Sequence, residues 1–307
     1  MSDILKAIGN TPIVKLKNIV PVGCGEIYVK LEAFNPTGSK KDRMALSMIL
    51  GAEKRGVLKK GMTVVEYSGG STGAGLAFVC SLKGYNFRLV TADVFGKEKI
   101  DLMRSLGANL EIIKSSNGKI NKELITKMIK KADQISKEPN TFFTNQLNNT
   151  DVIEGFIPLG EEILDQLNGN VDAVCDTIGT AGTLMGIAKA LKKAKSNCKI
   201  IAVEPSSSPI LSKGIEGSHN VEGVGLGFVP NIYDEKLVDN VISIDESVAR
   251  QTCKDLAKKE GVFCGTSSGM NVAAAIQISK QLGPKSKVVT IACDSGLKYL
   301  SEGLFDD

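Results

Sequence analysis

Short apolar, β-branched runs alternate with amphipathic stretches along almost the whole chain. The runs lie at residues 26–31, 62–66, 87–91, 110–113, 171–175, 199–203, 241–244 and 287–292. Between them, apolar residues recur at helical spacing over 43–54, 97–106, 121–135, 183–193, 247–259 and 269–282. Apolar runs of this length separated by helices read as strands of a parallel sheet covered on both faces. The fold class is therefore α/β and doubly wound. A length of 307 residues gives room for two packed domains without disulfides or structural metal. The polar stretch 140–151 (NTFFTNQLNNTD) is the best seam, and a cleft between two α/β domains is where a ligand is expected.

Composition excludes several classes of function. The net charge is only +4, with 38 Lys+Arg against 34 Asp+Glu, which is not the clustered basic excess of a nucleic-acid binder. The lysine-rich stretches 114–138 and 189–199 alternate with apolar residues and read as solvated helix faces. The 7 cysteines form no C-x-x-C pair, which fits free thiols in a reducing cytoplasm. With His219 as the only histidine and no G-x-S-x-G elbow, neither a zinc site nor a Ser-His-Asp triad is expected. The start, MSDILKAIGNTP, has no basic segment followed by an apolar core. The uncharged run 67–82 is too short and too rich in Gly and Ser to span a bilayer. A cytoplasmic protein is the expectation.

Four segments sit where a strand or turn gives way to a helix, the edge at which open α/β sheets bind ligands. In Asn35-Pro36-Thr37-Gly38-Ser39-Lys40-Lys41-Asp42-Arg43, a turn leads to Ser39 as a helix cap and then to two lysines. These are either surface lysines or a cleft amine whose lowered pKa suits it to a Schiff base. In Ser68-Gly69-Gly70-Ser71-Thr72, glycines and hydroxyls precede an apolar helix and suit a carboxylate. Gly179-Thr180-Ala181-Gly182-Thr183 opens another helix, either as a phosphate cradle or as an ordinary strand-to-helix turn. In Cys264-Gly265-Thr266-Ser267-Ser268-Gly269, a serine either contacts a ligand or caps a helix.

Together these segments resemble the cysteine synthase and cystathionine β-synthase family of pyridoxal-phosphate enzymes, which share the fold-type II, tryptophan-synthase-β-like architecture. The resemblance begins at Ile8-Gly9-Asn10-Thr11-Pro12 and passes through Lys30-Leu31-Glu32, the lysine motif, Leu106-Gly107-Ala108 and Val203-Glu204-Pro205. It ends near Asp294-Ser295-Gly296-Leu297-Lys298-Tyr299. It implies two domains with the site between them. The smaller comprises 1–12 and 35–145, and the larger 13–34 and 146–307. Residue by residue, Lys41 matches the Schiff-base lysine and general base, and Lys40 stands at a usually apolar position. Gly179, Thr180, Ala181, Gly182 and Thr183 match the phosphate loop, with Ala181 in place of a usual glycine. Ser267 matches the serine facing the pyridine nitrogen. Ser68, Gly69, Gly70, Ser71 and Thr72 match the loop on the substrate carboxylate, and Gln146 matches a further contact. Ser71 replaces the asparagine that normally reaches the cofactor's 3-hydroxyl. Glu222 and Gly223, in Val221-Glu222-Gly223-Val224-Gly225, follow the cystathionine β-synthase pattern, with Glu222 a candidate acid for the leaving group.

The resemblance implies pyridoxal 5'-phosphate as cofactor and β-replacement on O-acetylserine, serine or cysteine by sulfide or a thiol, through an aminoacrylate. The alternatives are β-elimination, of the L-cysteine desulfhydrase or serine dehydratase type, and a cystathionine- or lanthionine-forming synthase. A homodimer is also implied. A non-catalytic member that binds a partner chain in the cleft is disfavoured by Lys41, the phosphate loop and Ser267 together. A dinucleotide-binding oxidoreductase using Asp93 leaves the lysine motif unexplained.

Overall fold

Most of the apolar runs become parallel strands, and these sort into two sheets. The computed structural model describes residues 3–306 apart from 117, 119 and 120. The outer ends of the expected domains and part of the lysine-rich stretch 114–138 lie outside the described residues. The strands are β1 (Ile13–Lys15), β2 (Glu26–Leu31), β3 (Thr63–Tyr67), β4 (Asn86–Ala92), β5 (Asn109–Ile113), β6 (Thr141–Phe143), β7 (Ala173–Thr177), β8 (Lys199–Pro205), β9 (Asn240–Ile244) and β10 (Lys287–Ala292). The helices are α1 (Lys41–Lys54), α2 (Ser71–Lys83), α3 (Lys97–Ser105), α4 (Lys122–Ser136), α5 (Asp151–Glu154), α6 (Ile157–Gln166), α7 (Gly182–Lys193), α8 (Ile210–Lys213), α9 (Glu246–Asp255) and α10 (Thr266–Leu282). One sheet has the order β1-β2-β10-β7-β8-β9 and the other β5-β4-β3-β6. Every pairing is parallel except β1 with β2.

The differences from the sequence expectation have physical causes. β7, expected over 171–175, runs Ala173–Thr177 and includes Asp176, with all five residues buried. A carboxylate inside a buried strand is invisible to a hydropathy reading, and Lys40 neutralises it here at 2.7 Å. The polar seam 140–151 opens with β6, whose Phe142 and Phe143 pair with Val64 and Val65. Ser39 does not cap α1. Lys40 is the flanking residue, and the Ser39 hydroxyl accepts the Lys41 amide at 3.2 Å.

The core places the site by packing helix starts at the strand ends. In α1 and α2, Met48, Ile49, Leu76 and Val79 are fully buried, each stabilising the fold by about 1.5–3 kcal/mol. The two helices approach closely because Gly75 lacks a side chain. A Cβ there would lie 3.1 Å from Asp42 Oδ1 and 3.2 Å from Ala45 Cβ. The first turns of α10 are buried on every side, from Thr266 to Ala275, as befits a helix enclosed by protein. Arg43 ties α1 to the rest of the molecule. Its guanidinium donates to Glu32 at 2.7 and 2.9 Å and to Glu162 at 2.7 and 2.8 Å. Lys30 adds a 2.6 Å bridge to Glu162. Asp42 accepts from the Thr37 amide at 2.8 Å. The Asp-Arg that follows Lys41 is therefore architecture.

Candidate active site

The two adjacent lysines have opposite environments. Lys40 donates to both oxygens of Asp176, at 2.9 and 2.7 Å, with both side chains buried. Burial works against the charge on Lys40, but Asp176 outweighs it, and the Lys40 pKa rises. Lys41, one residue on, has no hydrogen-bond or ion-pair partner for its amine among the described residues. Burial first, and the neighbouring Lys40 charge second, lower it to about 8. An amine of that kind is nucleophilic near neutral pH.

Lys41 opens into a cleft of about 630 Å³. Gly179, Thr180, Ala181 and Thr183 line the same cleft. α7 begins there, with Ala181 at φ 71° in the left-handed region and no side chain capping the helix. Its first amides and the positive end of its dipole face the cleft, as an anion site requires. Thr180 Oγ1 accepts the Gly182 amide at 3.3 Å. Gly182 is the first residue of α7, and a Cβ there would stand 2.2 Å from Val152 Cγ1, so the helix start also needs glycine for packing. Gly179 is required for another reason, since a Cβ would come within 2.1 Å of the Gly223 carbonyl.

Ser68, Gly69, Gly70, Ser71 and Thr72 line the cleft at the start of α2. Ser68 Oγ accepts the Gly70 and Gly73 amides, at 3.1 and 3.0 Å, and shapes the turn. The amides of Ser71 and Thr72 fall in the first helical turn, which has no carbonyl of its own to offer them. Gln146, the expected further substrate contact, lines the cleft. Its amide oxygen accepts from Thr72 at 2.8 Å and its nitrogen donates to Tyr67 O at 2.9 Å, so it also braces the loop. Glu66 beneath it accepts from Thr144 and the Gln146 amide, and burial lifts its carboxyl to about 7. The Ser71 hydroxyl, in the place of the expected asparagine, donates to Asp294 at 3.2 Å.

Glu222 and Gly223 belong to a glycine-rich loop against the same cleft, and Ser267 faces it from α10. Glu222 is bound by Lys99 of α3 at 2.5 Å. Burial raises the Glu222 carboxyl to about 7; Lys99 opposes that rise, and Glu302 and Asp294 add to it. Sequence reasoning missed Asp176, Lys99 and Thr177. It also missed Asp294 as a cleft residue. Thr177 Oγ1 and Asp294 Oδ1 are buried with no partner among the described residues, and both residues line the cleft. Asp176, Lys99 and Thr177 lie in no motif of the sequence, and Asp294 opens a motif read only for the resemblance. An unpaired amine, an anion cradle and unsatisfied buried oxygens fit a phosphorylated aromatic aldehyde.

A family model described as pyridoxal-phosphate dependent enzyme matches residues 4–294. The chain belongs to that family. A cysteine synthase of Staphylococcus aureus is 40% identical over 313 aligned residues, spanning 100% of this chain and 98% of the relative. Among solved structures, a cysteine synthase of Entamoeba histolytica superposes with a TM-score of 0.93 at 32% identity, covering 100% of this chain and 91% of that one. A hydrogen sulfide-producing enzyme of Fusobacterium nucleatum gives 0.90 at 38% identity, covering 98% of each. The two-sheet α/β fold and the dependence on pyridoxal phosphate expected from the sequence are those of these relatives.

Proposed function

We propose that the chain carries out pyridoxal-phosphate-dependent β-replacement on a serine-type amino acid, with sulfide or a thiol as the nucleophile. The observation that carries this reading is the unpaired Lys41 amine, lowered to about 8, in one cleft with the start of α7. When bound, the cofactor supplies an electrophilic carbonyl and an electron sink for the α-carbon. Lys41 would anchor it, and the Lys41 Nζ would serve as the base that takes the α-proton. The Thr180 and Thr183 hydroxyls and the α7 amides hold the phosphate. The Ser71 and Thr72 amides bind the substrate carboxylate, on a loop that Ser68 and Gln146 hold in shape. Ser267, which lines the cleft, would be a neutral partner for the cofactor's ring nitrogen. Glu222 donates a proton to the departing β-substituent. The wall that Phe95 and Tyr67 contribute to the cleft limits water around these groups.

Glu222 is the observation that favours a second reading, elimination from serine or cysteine. Acetate leaves O-acetylserine unaided, whereas hydroxide and thiolate leave faster with a proton supplied, a gain of about 10²–10⁴-fold. The test is product identification with pyridoxal phosphate and O-acetylserine, serine or cysteine, each with and without sulfide. Glu222→Gln should lower kcat with serine or cysteine far more than with O-acetylserine. Equal losses with all three donors would overturn the acid role, and no turnover of any donor would overturn the reaction class.

Strand membership supports the domain division given above, since β3 to β6 form one sheet and β1, β2 and β7 to β10 the other. A cytoplasmic homodimer completes the proposal. All 7 cysteines are free, and no helix among the described residues is long and apolar enough to cross a membrane.

A further inference from the structure

Lys99 does not serve Glu222 alone. Its ammonium, 2% exposed, donates to Glu222 at 2.5 Å and to Glu302 at 2.6 Å. It also lies 4.0 Å above the Tyr299 ring. The three charged groups come from distant parts of the chain: α3, the glycine-rich loop and the C-terminal 3₁₀ turn Gly296–Glu302. One positive charge faces two negative ones. We propose that Glu302 and Lys99 are positioning residues that set the protonation of Glu222, the shared ammonium leaving a deficit that a proton on Glu222 removes. The proposal rests on the reading of Glu222 as an acid and adds what loads it.

Geometry sends the proton to Glu222. Glu302 is the more exposed carboxylate, with 27% side-chain exposure against 18% for Glu222, so solvation favours leaving the charge on Glu302. Other charged groups surround the cluster. Asp294, just past β10, accepts the Tyr299 hydroxyl at 2.8 Å and adds negative charge at Glu222. Glu98, beside Lys99 on α3, accepts the Ser301 amide at 3.1 Å. Lys298 is buried near Asp294 and Lys99, with its amine 3.4 Å from the Ser71 hydroxyl, and makes no ion pair with Glu222 among the described residues. On the loop itself, Glu216 is paired with Lys122 at 2.8 Å, and the His219 ring nitrogen lies 2.9 Å from Gly225 O. Neither supplies a second cation to Glu222. The ordinary alternative is a structural ion pair that holds Glu222 ionised and closes the loop over the cleft.

Infrared difference titration of the holoenzyme separates the two. Wild type should show a protonated-carboxyl band that disappears near pH 7 and is absent in Glu222→Gln. Glu302→Gln should move the disappearance about one unit lower, a roughly tenfold loss of proton affinity at Glu222. Lys99→Met should move it upward; if that variant does not fold, Glu302→Gln still decides the matter. An unmoved titration in Glu302→Gln, or no band assignable to Glu222 in wild type, would overturn the proposal. The alkaline limb of kcat with serine or cysteine should move with the band, while the low-pH plateau stays. A band that moves while the limb does not would leave the positioning role standing and remove Glu222 from the chemistry.

Discussion

Lys40 and Asp176 are joined through both carboxylate oxygens, at 2.9 and 2.7 Å, beneath a neighbouring lysine whose amine has no such partner among the described residues. That asymmetry supports Lys41 as the lysine that does chemistry. Lys41→Ala should abolish turnover and the visible absorbance of bound cofactor while leaving the fold intact. Lys40→Met should keep the absorbance. A colourless Lys40→Met protein that is still folded would reverse the assignment.

Removing Lys40 has a different cost. It strands the Asp176 carboxylate in a fully buried strand, which should destabilise the fold by about 3–5 kcal/mol. The double variant Lys40→Met, Asp176→Ala should recover part of that loss, because the buried charge is gone, while the Asn271 amide that donates to Asp176 at 2.8 Å loses that partner. Urea midpoints of the two variants measure it, and equal losses would show that the pair contributes nothing as a pair.

The α7 cradle gives a binding prediction. Each of Thr180→Ala and Thr183→Ala removes one charge-assisted hydrogen bond to phosphate, worth roughly 1.5–3 kcal/mol. Cofactor retention should fall about tenfold or more for each, with a smaller effect on kcat at saturating cofactor. Fluorescence titration of apoenzyme with pyridoxal phosphate reads this directly.

Ala181 occupies the left-handed region at φ 71°, where a β-carbon costs roughly 1–2 kcal/mol. Part of that is offset because glycine raises the entropy of the unfolded chain. Ala181→Gly should therefore stabilise the protein by about 0.5–1 kcal/mol, a gain of about 1–2 °C in Tm. A lower Tm would mean that the methyl group packs usefully.

Acid should attack the Arg43 network. Burial alone would raise the Glu162 carboxyl, but Arg43 and Lys30 outweigh it and hold it at about 2, against an ordinary 4.5. A depressed carboxylate contributes stability above its unfolded value, and that stability is lost as pH falls from about 4.5 toward 2. Glu162→Gln should lower the urea midpoint at pH 7 and flatten its fall across that window. An unchanged slope would place the acid sensitivity elsewhere.

The fold and the ligand loops were legible in the sequence because their signals are local. A strand needs a few adjacent apolar residues, and an anion loop needs glycines and hydroxyls beside a helix start. Lys41 could be preferred over Lys40 only by register, since the partner that separates them is 136 residues away. Glu222 could be named, but not the cation that holds it, which lies 123 residues distant, nor Glu302, 203 residues from Lys99. Buried charge pairs of this sort leave one odd polar residue in each of two segments. Asp176 in β7 was such a residue, and it displaced the predicted strand by two positions.

The contact between Gly179 and Gly223 has a bearing on any attempt to re-engineer donor preference. The two backbones touch so closely that neither loop can be redesigned as an independent cassette. The Gly225 amide, bonded to Ile178 O at 3.0 Å, fastens the same seam. Grafting a foreign loop around position 222 would shift the cofactor's phosphate seat along with the substrate pocket. Selectivity and cofactor affinity should then vary together across a library, and useful variants will be found among those that change both sides of the seam at once.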